Sequence, residues 1–290
     1  MATGTDGEDL ERIVLDRVHR LLKGSKRSLR ILVTGRTGAG KSALVNSIIG
    51  EYVAEEGDSA NRVTTEVTSY EKKIGGIVIT VHDSPGLQDG VEDKEKYLKE
   101  LKEKCSGVDL NLYCVRMTDG MRPTEKDAIM EISNTFGFDE FWRNTSIVLT
   151  FANEVRPPRS MRSISEVAHF SKRMLQWRFL LRRILTEDSQ ITENVAEDLP
   201  IIPAGYSDDP SLPAPEYDYW LRELWIQCLG RTKDIAKPIL LQINWRRLRY
   251  SEEMKKEDIT KKKGFEQPLG IIPPNEEAPK RVKAYFQKLW

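Results

Sequence analysis

Gly35-Arg36-Thr37-Gly38-Ala39-Gly40-Lys41-Ser42 is the stretch whose reading decides the fold. It satisfies the pattern GxxxxGK[ST]. The apolar run Leu29–Thr34 before it reads as a buried strand, and residues 42–49 after it read as a helix that Gly50 stops. Strand, glycine turn, helix is the context that gives the pattern meaning and begins an α/β fold. Glycines let the backbone curl so that its N–H groups point inward at phosphate oxygens, and the following helix adds its positive N-terminal end. Lys41 supplies a full charge to β- and γ-phosphates, and the Ser42 hydroxyl is a ligand for Mg²⁺. Gly35 through Ser42, with Ala43 behind them, are candidate nucleotide contacts.

A second motif follows about 40 residues later. His82-Asp83-Ser84-Pro85-Gly86 closes the strand-like run Ile77–Val81. Asp83 is placed to hold Mg²⁺ with Ser42, and the Gly86 N–H to approach a γ-phosphate, which would tie the next loop to nucleotide state. Between the motifs, Thr64 offers a hydroxyl for the remaining metal position, with Thr65 as the alternative and an ordinary strand-edge threonine as the plain reading. Lys41, Thr64 and Gly86 are the candidates for stabilising a transferred phosphoryl group, and Ser42, Thr64 and Asp83 for the metal.

Further along, apolar and charged runs alternate. Residues 66–73 and 77–82 flank Gly75-Gly76 as a hairpin, 91–105 form a charged helix, Leu110–Arg116 a strand, and Pro123–Phe136 a helix opened by proline. Ser146–Thr150 is a strand, 160–185 an arginine-rich helical stretch, Leu199–Pro203 a last strand and Tyr217–Leu229 a closing helix. This predicts a mainly parallel sheet with one antiparallel edge strand, covered by helices on both faces.

The base-reading segment is unusual. The strand ends in Thr150-Phe151-Ala152-Asn153-Glu154, without the NKxD whose carboxylate accepts two hydrogen bonds from guanine. Thr150 aligns with the start of that motif, Asn153 falls at the acid position, Glu154 one residue later, and Phe151 is placed either to stack on a base or to pack in the core; all four are candidate nucleotide contacts. Gly205 and Tyr206 follow the last strand, where Gly205 permits close approach and Tyr206 covers the base or lies on the surface.

GRTGAGKS, the VTTE loop, DSPGLQD, the GMRPTEKD segment and WLRELW together resemble the GIMAP/IAN immunity-associated and Toc chloroplast-import GTPases, over residues 28–230. The resemblance implies a P-loop G domain of the septin-like branch that binds GTP/GDP with Mg²⁺ and dimerises through its nucleotide face. After the DSPG glycine, Leu87 stands where Ras-like proteins carry a water-orienting glutamine, and Gln88 comes one position late. Slow hydrolysis is expected, raised by a partner or second copy, with His82, Arg36, Arg62 and Arg122 as candidate polar groups; solvated surface is the plain reading for Arg36 and Arg122, and strand packing for His82. Open alternatives are a nucleotide-gated scaffold with negligible turnover and an ATP-binding variant.

Charge is partitioned. The chain has 290 residues and zero formal net charge, yet residues 1–230 carry 30 basic and 37 acidic side chains, and residues 231–290 carry 15 and 8. The expected organisation is an N-terminal helix over 1–27, a G domain over 28–230 and a basic extension over 231–290. In that extension Ile239, Leu240, Ile243, Trp245 and Leu248 lie beside arginines, suited to packing on the chain's own domain, a protein effector, calmodulin or peripheral contact with an anionic membrane. The opposite signs of body and tail would let them attract. Balanced charge argues against nucleic acid as a partner. Three scattered cysteines, no signal-type N-terminus and no long apolar run predict a cytoplasmic chain with reduced thiols and no transmembrane span.

Overall fold

A computed structural model describes residues 28–56, 66–74, 77–87, 94–120, 122–161, 163–205, 212–213, 220–240 and 243. The expected N-terminal helix, Arg62, Thr64, Thr65, Gly75-Gly76, Gln88, Tyr206 and the tail beyond 243 lie outside the described residues.

Six strands form one sheet: β1 Ser28–Gly35, β2 Thr68–Ile74, β3 Ile77–Asp83, β4 Leu110–Arg116, β5 Thr145–Thr150 and β6 Ile201–Pro203. Their spatial order is β2-β3-β1-β4-β5-β6, and only β2 and β3 run antiparallel, paired from Thr68↔Asp83 to Ile74↔Ile77. The sheet class and its antiparallel edge are therefore as read from the sequence. Helices α1 Lys41–Ile49, α2 Lys94–Lys104, α3 Pro123–Phe136, α4 Phe138–Arg143, α5 Glu166–Arg183, α6 Glu193–Glu197 and α7 Trp220–Cys228 connect and cover the strands. The chain leaves β1 for β3 on one side and reaches β4 on the other. The crevice beyond the carboxyl end of β1 is thus a topological switch point, where open α/β sheets bind ligands.

Strands β1, β4 and β5 are buried along nearly their whole length, as continuous apolar runs require of a sheet covered on both faces. Trp142, Trp220, Trp225, Tyr113 and Phe170 are the bulkiest side chains in the core. Trp142 satisfies its indole N–H on Ser133 Oγ at 2.9 Å. Helix α3 begins at Pro123, as the sequence predicts. Helix α5 starts later than expected, at a Ser165 N-cap whose hydroxyl accepts from the Ala168 N–H, and Phe170, Met174, Trp177 and Leu181 face inward. The short helices α4 and α6 are absent from the sequence reading; five or six residues leave no periodicity to detect.

Packing continues past Gly230. Lys233 N–H donates to the Asp109 carbonyl at 3.0 Å, and Ala236, Ile239, Leu240 and Ile243 are buried in the same core. Of the occupants open to the apolar side of the extension, its own domain takes Ile239, Leu240 and Ile243. Exposing three such side chains costs roughly 5 kcal/mol, so any release of the basic tail begins beyond Ile243.

Candidate functional site

The phosphate loop runs from the end of β1 into α1. Gly40, the residue before α1, has φ +75°, and a Cβ there would lie 3.0 Å from Phe151 Cε2 and 3.3 Å from Thr150 Cβ. Both the left-handed backbone and the crowding exclude other residues. Lys41 is buried, and its Nζ donates to the Arg36 carbonyl at 2.9 Å, curling the loop around its own cation.

Ser42 Oγ donates to Asp83 Oδ2 at 2.9 Å, which joins the two motifs. Burial pushes the Asp83 carboxyl up, while Lys41 and the Ser42 hydrogen bond draw it down. Asp83 Oδ1 is buried and has no hydrogen-bond partner among the described residues. A hydroxyl and a carboxylate with a spare buried oxygen fit a hard divalent cation.

The DSPG segment is stitched to the phosphate loop. Leu87 N–H donates to the Gly35 carbonyl at 3.2 Å, Arg36 and Leu87 form a bridge, and Tyr97 Oη on α2 donates to the Pro85 carbonyl at 3.0 Å. At Gly86 any Cβ would overlap Thr37 Oγ1 and backbone. The Thr37 hydroxyl is itself buried without a hydrogen-bond partner among the described residues. Leu87 is fully buried, so the water-orienting position of Ras-like proteins is built here as core. Leu87→Gln would therefore leave an amide inside an apolar cluster. Its melting temperature should fall by several degrees, with no gain in phosphate release. A faster, equally stable variant would show that this position faces the site.

On the far side Gly40, Ala43, Leu44, Thr150, Phe151, Ala204 and Gly205 line a small pocket. Asn153 packs against Gly205, where a Cβ would stand 3.3 Å from its Oδ1, and that oxygen is buried without a hydrogen-bond partner among the described residues. Phe151 holds φ +56°, rare for an aromatic residue, and the Arg116 guanidinium lies 3.9 Å above its ring. Its ring borders the pocket rather than the core.

Three expectations need correction, and His82 is the strand packing expected of it. Thr150 lines the pocket, but its hydroxyl donates to the carbonyls of Ala39 at 2.8 Å and Val115 at 3.2 Å, strapping the phosphate loop to β4 and β5. Glu154 turns outward to Arg116 at 3.8 Å, because the 3₁₀ turn Ala152–Glu154 points Asn153 at Gly205 instead. Arg36 is no surface residue: its side chain is 15% exposed and reaches Glu125 at 3.8 Å. His82 lies on the opposite face of β3 from Asp83, held by Ser69 Oγ at 2.8 Å and beside Arg30. Burial and Arg30 push His82 down to about 4, so it is neutral at physiological pH. Arg116, and Tyr113 with Glu125 behind the phosphate loop, were missed; only Glu125, inside GMRPTEKD, carried a sequence signal. The three cysteines are buried thiols pushed up to about 12, without reactive character.

A family model described as the AIG1 family matches residues 29–176, half of the chain, and spans the phosphate loop, Asp83, α3 and the Asn153 turn. The chain belongs to the AIG1 family. Among curated relatives it is 26% identical over 202 residues to GTP-binding protein A of Dictyostelium discoideum, covering 63% of this chain and 44% of that protein. It is 31% identical over 160 residues to a translocase of chloroplast 34 homolog of Chlamydomonas reinhardtii, covering 50% and 40%. The chain thus spans less than half the length of both. Among solved structures, Toc33 of Arabidopsis thaliana in complex with GDP and Mg²⁺ shares the fold with a TM-score of 0.57 at 23% identity, over 78% of this chain and 90% of that one. A structure of the translocon components atToc33 and psToc159, for whose GTPase activity dimerisation is important, gives 0.60 at 25% identity over 77% and 89%. No helix among the described residues is long and apolar enough to cross a membrane.

Proposed function

We propose that this AIG1-family chain binds GTP and GDP with Mg²⁺, hydrolyses GTP slowly alone, and is activated when two copies meet across the nucleotide face. The carrying observation is Leu87, fully buried where a water-orienting side chain is needed. The described part of the site can bind and polarise phosphates but offers no group to orient water. Lys41 and the inward N–H groups of the loop would hold the β- and γ-phosphates. Ser42 and Asp83, with Thr64, would hold Mg²⁺, which when bound neutralises charge on the phosphate oxygens. Gly86, held against Thr37, would sense the γ-phosphate. Phe151, Asn153 and Gly205, with Tyr206, would hold the base.

The missing group comes from a second copy. Of the four candidates, Arg36 is committed to Glu125 and His82 is neutral on the wrong face. Arg62 lies outside the described residues, so among the described candidates Arg122 remains: it is 57% exposed, paired with Asp119 at 3.1 Å, and stands just ahead of α3 at the carboxyl end of the sheet. An arginine supplied in trans stabilises the phosphoryl charge and is worth orders of magnitude in rate. Phosphate release per molecule should rise with protein concentration in Mg·GTP. Arg122→Ala should remove most of that rise and leave GDP affinity unchanged. Nucleotide-dependent mass without phosphate release would instead support the scaffold, and preference for ATP would sink the reading of the base pocket.

A further inference from the structure

Behind the phosphate loop lies a buried polar set whose role the scheme above leaves unassigned. Tyr113, fully buried in β4, donates from Oη to Glu125 Oε1 at 2.9 Å. Glu125, 5% exposed in the first turn of α3, faces Arg36 Nη1 through its other oxygen at 3.8 Å. Arg36 Nε is buried and finds no hydrogen-bond partner among the described residues. Burying a charged pair is costly, and this one is imperfectly made, so packing alone does not explain it. Burial pushes Glu125 up, opposed by the Tyr113 hydrogen bond and Arg36.

The backbone of Arg36 explains the arrangement. Its carbonyl accepts from Lys41 Nζ at 2.9 Å and from the Ala39 N–H at 3.2 Å, and Arg36 bridges Leu87. One residue therefore joins the phosphate-binding lysine to the start of the DSPG loop, while its side chain is anchored on α3. Glu125 follows Arg122 by three residues and sits on the same first turn. The Tyr113–Glu125 bond fixes that turn against β4.

We infer that Tyr113 and Glu125 are positioning residues: they hold Arg36, and through it the phosphate loop and Leu87, in a geometry set by the N-terminal turn of α3. Because Arg122 opens that turn, contact there is felt at Lys41; this second step rests on the proposed dimer, whereas the positioning itself does not.

The test is a double-mutant cycle on Mg·GDP affinity, read with a fluorescent GDP analogue. Glu125→Gln and Arg36→Met should each weaken binding about five- to twentyfold, and the double variant should be no weaker than the worse single one. Tyr113→Phe, which removes one hydroxyl and orphans one buried Glu125 oxygen, should cost two- to fivefold in affinity and a few degrees of melting temperature while still folding cooperatively, keeping the inference falsifiable if the charged variants fold poorly. Losses that multiply in the double variant, or a silent Tyr113→Phe, would overturn it. Phosphate release over a dilution series gives a second readout. Glu125→Gln should lower the plateau at high concentration without moving the midpoint. An unchanged plateau sinks the coupling to Arg122. Wild-type release independent of concentration would sink the dimer and that coupling together, while the affinity cycle still decides the positioning.

Discussion

Lys41→Ala is expected to weaken Mg·GDP binding by about a hundredfold or more. The ammonium is buried, held by the Arg36 carbonyl at 2.9 Å, and close enough to Asp83 to draw that carboxyl down against the effect of burial. A charge placed on phosphate in such surroundings is worth about 3–4 kcal/mol, near the value for a unit pair at 4 Å with an effective dielectric constant of about 20. Titration with a fluorescent GDP analogue measures the loss directly; an unchanged dissociation constant would overturn the assignment of the phosphate loop. The same substitution has a signature without nucleotide. Asp83 already has a raised folded-state pKa, so the folded protein holds that proton more tightly than the unfolded chain does. Asp83 therefore favours folding at low pH and opposes it as pH rises through its pKa. Removing Lys41 pushes Asp83 further up. Melting temperatures of variant and wild type should converge in acid and separate toward neutrality, with the variant lower.

What was legible in the sequence was whatever is local. The phosphate loop needs glycine backbone freedom and a lysine at fixed spacing, so its eight residues announce both loop and flanking elements. Asp83 is legible because the apolar strand Ile77–Val81 ends on it. Pro123 marks the start of α3 because its fixed φ and missing N–H suit the first helical turn. What was not legible depends on neighbours distant in sequence. Thr150 looked like a base contact until the Ala39 carbonyl, 111 positions away, claimed its hydroxyl. Arg36 looked exposed by its charge, yet Glu125 and Tyr113 give it a buried place. Periodicity cannot separate Asn153 from Glu154 either. The choice is made by the left-handed backbone at Phe151 and the 3₁₀ turn after it. The break in charge near residue 230 marks a change in composition, but packing ignores it as far as Ile243, because three apolar side chains find a place on the domain.

Asn153→Asp is expected to change base selectivity by two to three orders of magnitude. Guanine presents two donors on one edge, its ring N1–H and its 2-amino group. A carboxylate accepts from both, whereas an amide offers one acceptor and one donor, so the Asn153 NH₂ opposes one of guanine's donors. Xanthine keeps the N1–H but carries a carbonyl in place of the amino group, which suits the amide. Wild type should then separate GTP poorly from ITP, which lacks the amino group, and should accept XTP. With aspartate, guanine gains a charge-assisted hydrogen bond worth about 1.5–3 kcal/mol, roughly ten- to a hundredfold. Xanthine meets carboxylate against carbonyl, and its affinity should fall by about tenfold or more. The position supports the reading: Asn153 Oδ1 is buried against Gly205 with no partner among the described residues, beside a pocket bordered by Phe151. The nearby Arg156 guanidinium already donates to the Asn153 backbone carbonyl at 2.7 Å, so a new carboxylate buried against Gly205 meets its two donors only when guanine is bound, and the variant should gain more from GDP than wild type does. Competition with GTP, ITP, XTP and ATP against one fluorescent nucleotide reads all four affinities. If the order of the four is the same in both proteins, Asn153 does not touch the base, and guanine must be read by Tyr206 or backbone alone.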